Sequence, residues 1–409
     1  MTQILSKLDF SDQPVRFMHI DLNSCFATVE QQANPLLRHR PIAVAAYDSP
    51  RGVIIAPSVE AKKLGIRVGF RVAEAKKVCP DIKILEPDTE KYRFVHHALK
   101  QLLTDYTSRL EPKSVDEFVL DFAGTPSSRN NLLTVGRQIK ARIKEEIGDY
   151  ITVSVGLSTN EFLAKTASNL KKPDGLEEIN RHNFSAVYKH LQLMDLTGIA
   201  NRTLMRLNGY GIHTVWDLYS ASADQLTHVF HSVVGNYWYL RLRGYQIENY
   251  KDTRKSFGQQ YALAKPVKSL SELTPILTKL VEKMGFRLRN RGYKTRGVGL
   301  FLLYKDDTSW HKSQQTGKVL SDSRDIYREI LRLFFTSPQK EIKMVGVSCF
   351  NLALSGRTQL ELFSDAEKRE FLTKMLDKIN DRWGKFVVSP ASMAGTKDVV
   401  IDRIGFGNV

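Results

Sequence analysis

Hydrophobic residues are spaced in two ways along the first part of the chain, and the two spacings alternate. Short apolar runs, which are typical of strands, lie at 15–21, 40–47, 113–122 and 150–158. Apolar residues three and four positions apart, which are typical of helices, lie at 88–110 and 131–147. Because strands that alternate with long helices build layered folds, this part of the sequence predicts an α/β or α+β core.

The pattern changes after residue 175. Residues 196–218 predict two short apolar helices around an Asn-Gly-Tyr-Gly turn, and the polar, charged segment 249–256 predicts a linker. Beyond the linker, strands are predicted at 257–265, 297–305 and 344–354, and helices at 269–291 and 322–335. The sequence thus predicts a second α+β unit, followed by a tail.

Composition adds a strong positive charge to this picture. The chain of 409 residues holds 60 Lys and Arg against 44 Asp and Glu, which gives a net charge of +16 and a pI near 9.6. Such an excess favours a polyanionic partner, with nucleic acid first and an anionic membrane surface second; a generally basic surface is the simpler alternative. The length predicts about two to four domains.

No segment predicts insertion into a membrane or export. No apolar run approaches the roughly 20 residues that span a bilayer, and residues 1–13 lack the charged start and apolar middle of a signal peptide. Cys25, Cys79 and Cys349 are far apart and form no CxxC pair, so neither a disulfide framework nor a zinc site is predicted. We therefore expect a cytoplasmic protein without a membrane partner.

Two adjacent acids are the first candidates for chemistry. Asp116 and Glu117 start an apolar strand, where two unpartnered carboxylates would repel each other and resist burial. A divalent cation would stabilise them, and Asp21, which ends another apolar strand, is a candidate third ligand. Because neighbouring strand residues point to opposite faces, the pair can share a metal only at a bend, such as a turn after 111–114. The alternative is a solvated strand end and an unrelated loop acid.

Three longer motifs contain these acids. The segments HIDLNSCFATVE (19–30), EPKSVDEFVLDF (111–122) and VSVGLSTNEFLAKTASNLKKPDG (153–175) resemble, in order and spacing, the three palm motifs of Y-family translesion DNA polymerases. The resemblance covers residues 15–355 and implies an α+β multidomain, right-hand polymerase fold with a ferredoxin-like palm, small fingers, a helical thumb and an α+β little finger. The implied domains are a split palm (1–23 and 89–172), fingers (24–88), a thumb with a helix-hairpin-helix-like segment (173–248), a linker (249–256), a little finger (257–355) and a C-terminal tail (356–409).

By this resemblance, Asp21, Asp116 and Glu117 are the catalytic and metal-binding residues, with the backbone carbonyl of Leu22 as a further ligand. Two Mg²⁺ ions, for which Mn²⁺ can substitute, would clamp the attacking and leaving oxygens of a phosphoryl transfer. Phe26 resembles the steric gate that excludes the 2′-hydroxyl of a ribonucleotide by its shape. A lone Phe at such a position is otherwise more often a core residue.

Nucleotide-binding residues follow from the same resemblance; they are Asn23, Ser24, Cys25, Phe26, Lys62 and Lys165. Lys165 is similar to a family lysine that contacts the incoming triphosphate, although an exposed helix lysine is the simpler interpretation. Val59 and Lys62 stand where the family often has Tyr and Arg, so Lys62 keeps the charge without bidentate geometry. Val59 and Asn23 resemble the UmuC-like branch of the family more than the DinB-like branch.

DNA contacts are predicted from charge. The segment 283–296, KMGFRLRNRGYKTR, holds six basic residues and no acid, and would contact phosphates without sequence preference. Its candidate DNA-binding residues are Arg287, Arg289, Arg291, Lys294 and Arg296. The alternative is a solvated helix face. Residues 196–218 resemble the thumb hairpin that offers backbone N–H groups to phosphates, with Gly198 as the candidate contact.

The tail contains a short motif for a protein partner. Gln359, Leu360, Leu362 and Phe363 match the Q-L-x-L-F pentapeptide with which bacterial polymerases bind the sliding clamp. An extended segment would bury the Leu and Phe side chains while Gln fixes its orientation. Packing of the tail on its own chain is the alternative.

Together, these features predict a template-directed DNA polymerase of the low-fidelity lesion-bypass type, which adds dNTPs to a primer 3′-hydroxyl. The expected partners are primer–template DNA, dNTPs, the bacterial sliding clamp and an UmuD-like accessory subunit, and the resemblance implies a role in the SOS response to DNA damage. Two alternatives stay open. A catalytically inactive scaffold of polymerase-like fold would bind DNA and clamp, and a two-metal nuclease or nucleotide cyclase would use the acids without Phe26 or the clamp motif.

Overall fold

The computed structural model describes residues 8–125, 131–247, 255–355, 366–397 and 399–400. These residues form two compact units that divide near residue 248. Each unit has an apolar core of its own. Every helix within the described ranges is too short or too polar to cross a lipid bilayer.

Strands and helices alternate in the first unit, as the sequence predicts. In chain order they are β1 (Phe17–Leu22), α1 (Cys25–Ala33), β2 (Ile42–Ala45), β3 (Ile54–Pro57), α2 (Val59–Lys63), α3 (Val72–Val78), β4 (Lys83–Leu85), α4 (Thr89–Thr104), β5 (Leu110–Pro112), β6 (Glu117–Asp121), α5 (Leu132–Arg142), β7 (Val153–Ser158), α6 (Glu161–Leu170), β8 (Leu176–Ile179), α7 (Phe184–His190), α8 (Asn201–Gly209), α9 (Val215–Ser220), α10 (Ala223–Phe230) and α11 (Val234–Leu242).

β1 lies at the centre of a five-stranded sheet with the order β5-β6-β1-β7-β8. It is antiparallel to β6 and β7, and α6 packs against β1, β7 and β8. Ile20 lies opposite Phe118 on β6 and Val155 on β7, and all three belong to the core. Asp21 follows Ile20 and lies opposite Glu117, so the sheet register brings two acids together where the core ends.

A second sheet, β3-β2-β4, carries α2 and α3 and has a small core of its own. The helix α2 is short because both of its ends are defined by local chemistry. At its start, Ser58 Oγ accepts a hydrogen bond from the Ala61 N–H at 3.2 Å. Beyond its end, Gly65 has a φ of 88°, a left-handed conformation that ends helices.

Two domain boundaries differ from those implied by the sequence. β8 pairs in parallel with β7, so the central sheet extends to Ile179 instead of ending at residue 172. Phe10 stacks on Phe184 and belongs to the core of the helices α7–α11, although residues 1–23 were expected in the palm. Both differences are contacts between distant segments, on which local periodicity carries no information.

The helices α7–α11 form the predicted helical segment. α8 and α9 are the two short helices predicted around the Asn-Gly-Tyr-Gly turn, and Gly211 between them has a φ of 76°. Gly198, which is exposed just before α8, has a φ of 103°. Both values lie in the left-handed region that glycine adopts without strain.

The second unit is an antiparallel sheet of four strands with the order β11-β10-β12-β9. Its elements in chain order are β9 (Ser256–Val267), α12 (Leu270–Asn290), β10 (Tyr293–Tyr304), β11 (Ser309–Leu320), α13 (Ser323–Phe334), β12 (Ile342–Leu354) and α14 (Ala366–Trp383). α12 and α13 match the predicted helices closely. The sequence pattern misses β11 because this edge strand is mostly polar, and only Trp310 and Leu320 reach the core.

The described part of the tail packs on the second unit. The predicted boundary at residue 356 implied instead that the tail is a separate segment. Lys279 of α12 donates hydrogen bonds from Nζ to the carbonyls of Thr396 and Val399. Lys283, one helical turn later, donates to the carbonyl of Val400 at 2.6 Å. Both lysines are buried, so these bonds hold the end of the described chain against α12.

Candidate active site

A cavity of about 540 Å³ opens at the end of β1 in the first unit. Its walls come from the end of β1, the start of α1, the segment from β3 to α2, the turn before β6 and the loop after α6. Predicted site residues on the wall are Asp21, Leu22, Asn23, Ser24, Cys25, Phe26, Lys62 and Asp116. The cavity therefore collects most of the predicted residues, but Glu117 and Lys165 are not part of its wall.

Asp116 and Glu117 lie at the bend that a shared metal requires. β5 and β6 form a hairpin, and the N–H groups of Lys113 and Ser114 donate to the Glu117 carbonyl at 2.9 and 3.3 Å. Asp116 thus precedes the strand, and its carboxylate accepts a hydrogen bond from Ser114 Oγ at 2.5 Å. The Leu22 N–H donates to the Asp116 carbonyl at 3.0 Å, which aligns this turn with the end of β1.

Glu117 is held by two basic side chains. Lys165 Nζ lies 2.6 Å from Glu117 Oε2, and His19 Nε2 lies 3.5 Å from the same oxygen. Burial alone would raise the pKa of Glu117, but the interactions with His19 and Lys165 lower it to about 2. Lys165, which the sequence assigned to a triphosphate, is therefore engaged by the third predicted acid.

Lys172 is the site residue that the sequence analysis missed. Its Nζ lies 2.7 Å from Asp21 Oδ2, and its side chain lines the cavity. The loop that carries it is fixed to the end of β1, because the Asp174 N–H donates to Asn23 Oδ1 at 2.8 Å. A signal was present in the sequence: Lys171 and Lys172 lie within the third motif, directly before a proline.

The donor set on this wall fits a hard divalent cation. Asp21 and Asp116 supply carboxylate oxygens with Leu22 beside them, and Mg²⁺ prefers oxygen ligands that are completed by substrate phosphates. Burial raises the pKa of Asp116, and the charges of Asp21 and Glu117 raise it further against the hydrogen bond from Ser114. A bound cation would relieve this unfavourable crowding of negative charge.

Glu117, the third predicted metal ligand, does not form a metal-binding cluster with Asp21 and Asp116 in this structure. Among the described residues, no three His, Cys, Asp or Glu side chains stand close enough together to hold a metal. Glu117 is bound to Lys165 instead, so it must exchange that ammonium group for an ion before it can act as a ligand.

The start of α1 forms one side of the cavity. Ser24 has a φ of 49° and a ψ of 41°, a left-handed conformation that costs a non-glycine residue about 1–3 kcal/mol. Its buried Oγ has no hydrogen-bond partner among the described residues. The amide of Asn23 is already engaged, because Nδ2 donates to Ser154 Oγ at 2.8 Å while Oδ1 accepts from Asp174. The first N–H groups of α1, from Cys25 onward, suit an anion.

Phe26 belongs to the core and to the cavity wall at once. Its ring stacks on Tyr92 with centroids 4.3 Å apart and an interplanar angle of 13°, and only 1% of the side chain is exposed. Tyr92 Oη donates to Glu30 Oε1 at 3.0 Å, which fixes the stack. A ring held in this way limits the shape of the cavity, as a steric gate must. The role of Phe26 as a gate remains a prediction.

Lys62 and Val59 both line the cavity from α2. Burial lowers the pKa of Lys62, and repulsion by Lys172 lowers it further, whereas the carboxylates of Asp21 and Asp116 act in the opposite direction. Because Lys63 and Lys172 line it too, the cavity carries three lysines as well as two carboxylates. This mixture suits a ligand with phosphate groups and a bound cation.

In the second unit, part of the predicted DNA-binding segment is engaged by the protein itself. Arg289 donates two hydrogen bonds to Asp377 of α14 at 2.7 and 2.9 Å, and Lys294 pairs with Glu370 at 2.8 Å. Arg289 and Lys294 are therefore paired with acids of this chain, and their predicted contact with DNA phosphates stays a prediction. The return of the tail neutralises them, which the spacing within the segment does not reveal.

The other predicted binding residues stand in different surroundings. Arg287 donates to Gln259 Oε1 at 3.1 Å, whereas Arg291, Arg296 and Gly198 are exposed. The clamp-binding residues Gln359, Leu360, Leu362 and Phe363 lie outside the described residues.

Known proteins are similar in sequence to this chain over most of its length. Residues 20–169 match the impB/mucB/samB family, and residues 254–362 match the C-terminal domain of that family. A DNA polymerase IV from Moorella thermoacetica is 33% identical over 382 residues, which is 91% of this chain and 94% of that protein. DNA polymerase IV 1 from Bacillus subtilis is 29% identical and covers 90% of each chain.

Solved structures share the fold. A Y-family DNA polymerase chimera, Dbh-Dpo4(243-245)-Dbh, matches with a TM-score of 0.71 at 23% identity, over 83% of this chain and 99% of that one. An insertion ternary complex of Dbh DNA polymerase matches over the same shares with a TM-score of 0.58. The predicted right-hand α+β fold is thereby confirmed, whereas the resemblance of Val59 and Asn23 to the UmuC-like branch is not supported. The chain belongs to the Y-family of DNA polymerases, in its DinB-like branch.

Proposed function

We propose that Asp21, Asp116 and Glu117 hold two divalent metal ions with which this lesion-bypass DNA polymerase adds dNTPs to a primer 3′-hydroxyl. The observation that carries the proposal is the register of the central sheet. Asp21 lies opposite Glu117, and the turn before β6 sets Asp116 on the same cavity wall as Asp21. When bound, the ions would supply Lewis-acid stabilisation of the attacking and leaving oxygens.

The other wall residues would bind and orient the nucleotide. Lys172 and Lys62 bring two ammonium groups to the cavity, and the start of α1 offers backbone N–H groups to a phosphate. Phe26 would exclude the 2′-hydroxyl of a ribonucleotide. Positioning and electrostatic stabilisation of the transferred phosphoryl group are then the main contributions of the protein.

The test of this proposal is extension of a labelled primer–template with Mg²⁺ and dNTPs. Wild type is expected to produce a ladder, and Asp116→Asn/Glu117→Gln is expected to produce none. Glu90→Gln is the matched control because its carboxylate is 91% exposed on the same unit. If the double variant still extends the primer at the wild-type rate, these acids do not hold the catalytic metal.

The identity of the metal is part of the proposal. Carboxylate oxygens with completing phosphates favour Mg²⁺, and Mn²⁺ accepts the same ligands. We expect extension with either ion and none after chelation by EDTA. Restoration of activity by Zn²⁺ alone would contradict this assignment.

The catalytically inactive scaffold has no support in this site. All three acids are present, and two of them stand on one cavity wall with three lysines. For DNA contacts, Gly198, Arg291 and Arg296 remain the exposed candidates. Replacement of Arg291 and Arg296 by Gln is expected to weaken binding of duplex DNA at every sequence and to reduce its salt dependence. Binding that is unchanged by this double replacement would exclude the two residues from the DNA interface.

We also propose the sliding clamp as a partner, on the strength of the residues Gln359, Leu360, Leu362 and Phe363 alone. Leu362→Ala/Phe363→Ala should abolish retention by an immobilised bacterial clamp while leaving primer extension without clamp unchanged. Retention of the double variant would exclude this motif. An UmuD-like accessory subunit and a role in the SOS response rest on the family resemblance, and a cytoplasmic location rests on the pattern of apolar residues and cysteines; all three remain predictions.

A further inference from the structure

The helix α14 is seated on the second unit by its charged face. Asp377 pairs with Arg289 of α12, and Glu370 pairs with Lys294 of β10. These two acids are seven residues apart, which is about two helical turns, so they lie on one side of α14. The side chains of Arg289 and Lys294 are only 10% and 12% exposed, so the seat is well covered.

The opposite side of α14 is apolar and faces water. Leu372, Leu376, Ile379 and Trp383 follow one another at intervals of four, three and four residues, which places them on one side of the helix. We call these four residues the apolar stripe. Leu372, Ile379 and Trp383 are 50%, 40% and 67% exposed, Leu376 is half-buried, and the neighbouring Phe371 is 65% exposed. None of the described apolar side chains of α14 belongs to the core of the unit.

This orientation is the reverse of that found in most surface helices, which turn their apolar side toward the core. The physical reason is the seat, since α12 and β10 present Arg289 and Lys294 to α14 at this place. Charge pairing therefore decides which side of the helix is turned inward. An apolar stripe that is left in water in this way is typical of a surface that binds another macromolecule.

The surroundings of the stripe indicate the charge of that partner. Lys378 and Arg382 are exposed beside it, and the Arg382 guanidinium lies 5.1 Å from the ring centroid of Trp383. Two acids of the same helix, Glu370 and Asp377, are bound in the seat. Asp381 is exposed, but it stands four residues after Asp377 and so lies on the side of the seat, away from the stripe. A second copy paired antiparallel through the stripe would set Lys378 and Arg382 against the same residues, which disfavours self-association.

We propose that the apolar stripe binds an amphipathic helix of another protein, whose apolar side is bordered by Asp and Glu residues. Leu and Trp side chains of the stripe would interdigitate with the apolar side of that helix, and Lys378 and Arg382 would pair with its acids. The stripe belongs to the second unit and the polymerase cavity to the first, so the proposal does not depend on the metal-binding roles of the acids of the cavity.

The test uses the full chain and a synthetic helix of about three heptads, with Leu at the a and d positions and Glu at the e and g positions. A second peptide carries Lys in place of Glu, and a third has the Glu peptide's composition in scrambled order. Binding is followed by fluorescence anisotropy. Wild type should bind the Glu peptide at least about tenfold more tightly than the Lys or scrambled peptide, which is about 1.4 kcal/mol.

Two variants separate apolar contact from charge. Leu372→Ser/Ile379→Ser/Trp383→Ser keeps every charge and should weaken binding of the Glu peptide at least about tenfold. Lys378→Glu/Arg382→Glu should reverse the preference in favour of the Lys peptide. Phe335→Ser is the matched control, because Phe335 is also an apolar side chain of the second unit with 67% exposure, and it should change nothing.

Several outcomes would overturn the proposal. Equal binding of the Glu and Lys peptides by wild type would exclude the charged rim, and unchanged binding by the triple variant would exclude the stripe. Dimerisation that the triple variant abolishes would assign the stripe to a second copy. Binding to phosphatidylglycerol vesicles that the triple variant abolishes would assign it to a lipid surface. A lower melting temperature of the triple variant would show that the stripe packs on its own chain.

Discussion

Carboxylates are paired with basic side chains in both units, but the partners differ in kind. In the polymerase cavity and beside it, Asp21 and Glu117 are each bound by a lysine, at 2.7 and 2.6 Å. On the second unit, Glu370 is also bound by a lysine, but Asp377 is bound by Nε and Nη2 of the Arg289 guanidinium. Lysine is a point charge on a flexible stem, whereas the planar guanidinium fixes two carboxylate oxygens at once. The lysine pairs are therefore suited to exchange, and the arginine pair is suited to hold a helix.

Burial does not explain this difference. The Asp21, Glu117 and Asp377 side chains are 12%, 20% and 21% exposed, so all three acids are covered to a similar degree. The distinction lies in the chemistry of the partner. A metal or a triphosphate can replace a lysine without rebuilding the fold, whereas removal of Arg289 would leave two carboxylate oxygens of α14 without their bonds.

The largest expected effect comes from Asp21. Asp21→Asn keeps the size of the side chain but removes the charge that we assign to both metal ions, so kcat/KM for single-nucleotide incorporation should fall about 10³-fold or more. Asp105→Asn is the control, because Asp105 is a 60% exposed acid that pairs with Arg142 on the same unit. Loss of thermal stability in Asp21→Asn with unchanged kcat/KM would make the Asp21–Lys172 pair structural, like that of Asp377.

The next effect concerns acid stability. The pKa of Glu117 is lowered from 4.5 to about 2, so its ionised form stabilises the folded unit by up to about 3 kcal/mol. This stabilisation is complete above a pH of about 4.5 and is lost as the pH falls toward 2. The free energy of unfolding of wild type, measured with urea, should therefore decrease as the pH falls through this range. That of Glu117→Gln should decrease less. If the free energies of unfolding of the two proteins change with pH in parallel, Lys165 and His19 do not stabilise the ionised Glu117.

A smaller effect is expected at the seat of α14. Asp377→Asn should lower the free energy of unfolding of the second unit by about 2 kcal/mol, because it weakens two hydrogen bonds to a charged, covered Arg289. Arg289→Lys should lose about half as much, since it keeps the charge but not the second bond. Both are measured by chemical denaturation, with kcat for nucleotide incorporation as the control that should not change. No loss in Arg289→Lys would mean that charge alone holds the helix.

The smallest effect separates the two lysines of the first unit. Lys172→Met should raise the KM for the incoming dNTP about tenfold, because it removes a positive charge from the cavity wall. Lys165→Met should act mainly on the stability contributed by Glu117 and leave this KM within about twofold. The measurement is steady-state incorporation of one nucleotide by each variant. A larger change in KM for Lys165→Met would restore the assignment made from the sequence.

Sequence reasoning was most successful where the relevant residues are close together along the chain. The alternation of strands and helices, the bend before Glu117 and the two helices around Gly211 all depend on short segments, and the structure contains each of them. It was least successful for the edge strand β11, which has little apolar alternation. The pairing of Arg289 and Lys294 with α14 was missed for another reason, because charges along one segment do not show which acids pack against them from elsewhere in the chain.

By itself, the sequence determined the fold class and the motifs that bring Asp21, Asp116 and Phe26 to one end of the central sheet, because strand register follows from local pattern and turn chemistry. Only the tertiary structure decided which charges meet. Glu117 and Lys165 are 48 residues apart, Asp21 and Lys172 are 151 apart, and Arg289 and Asp377 are 88 apart. A charge has no preferred partner along the chain, so its partner is chosen by packing, and the same packing left the apolar stripe of α14 facing water.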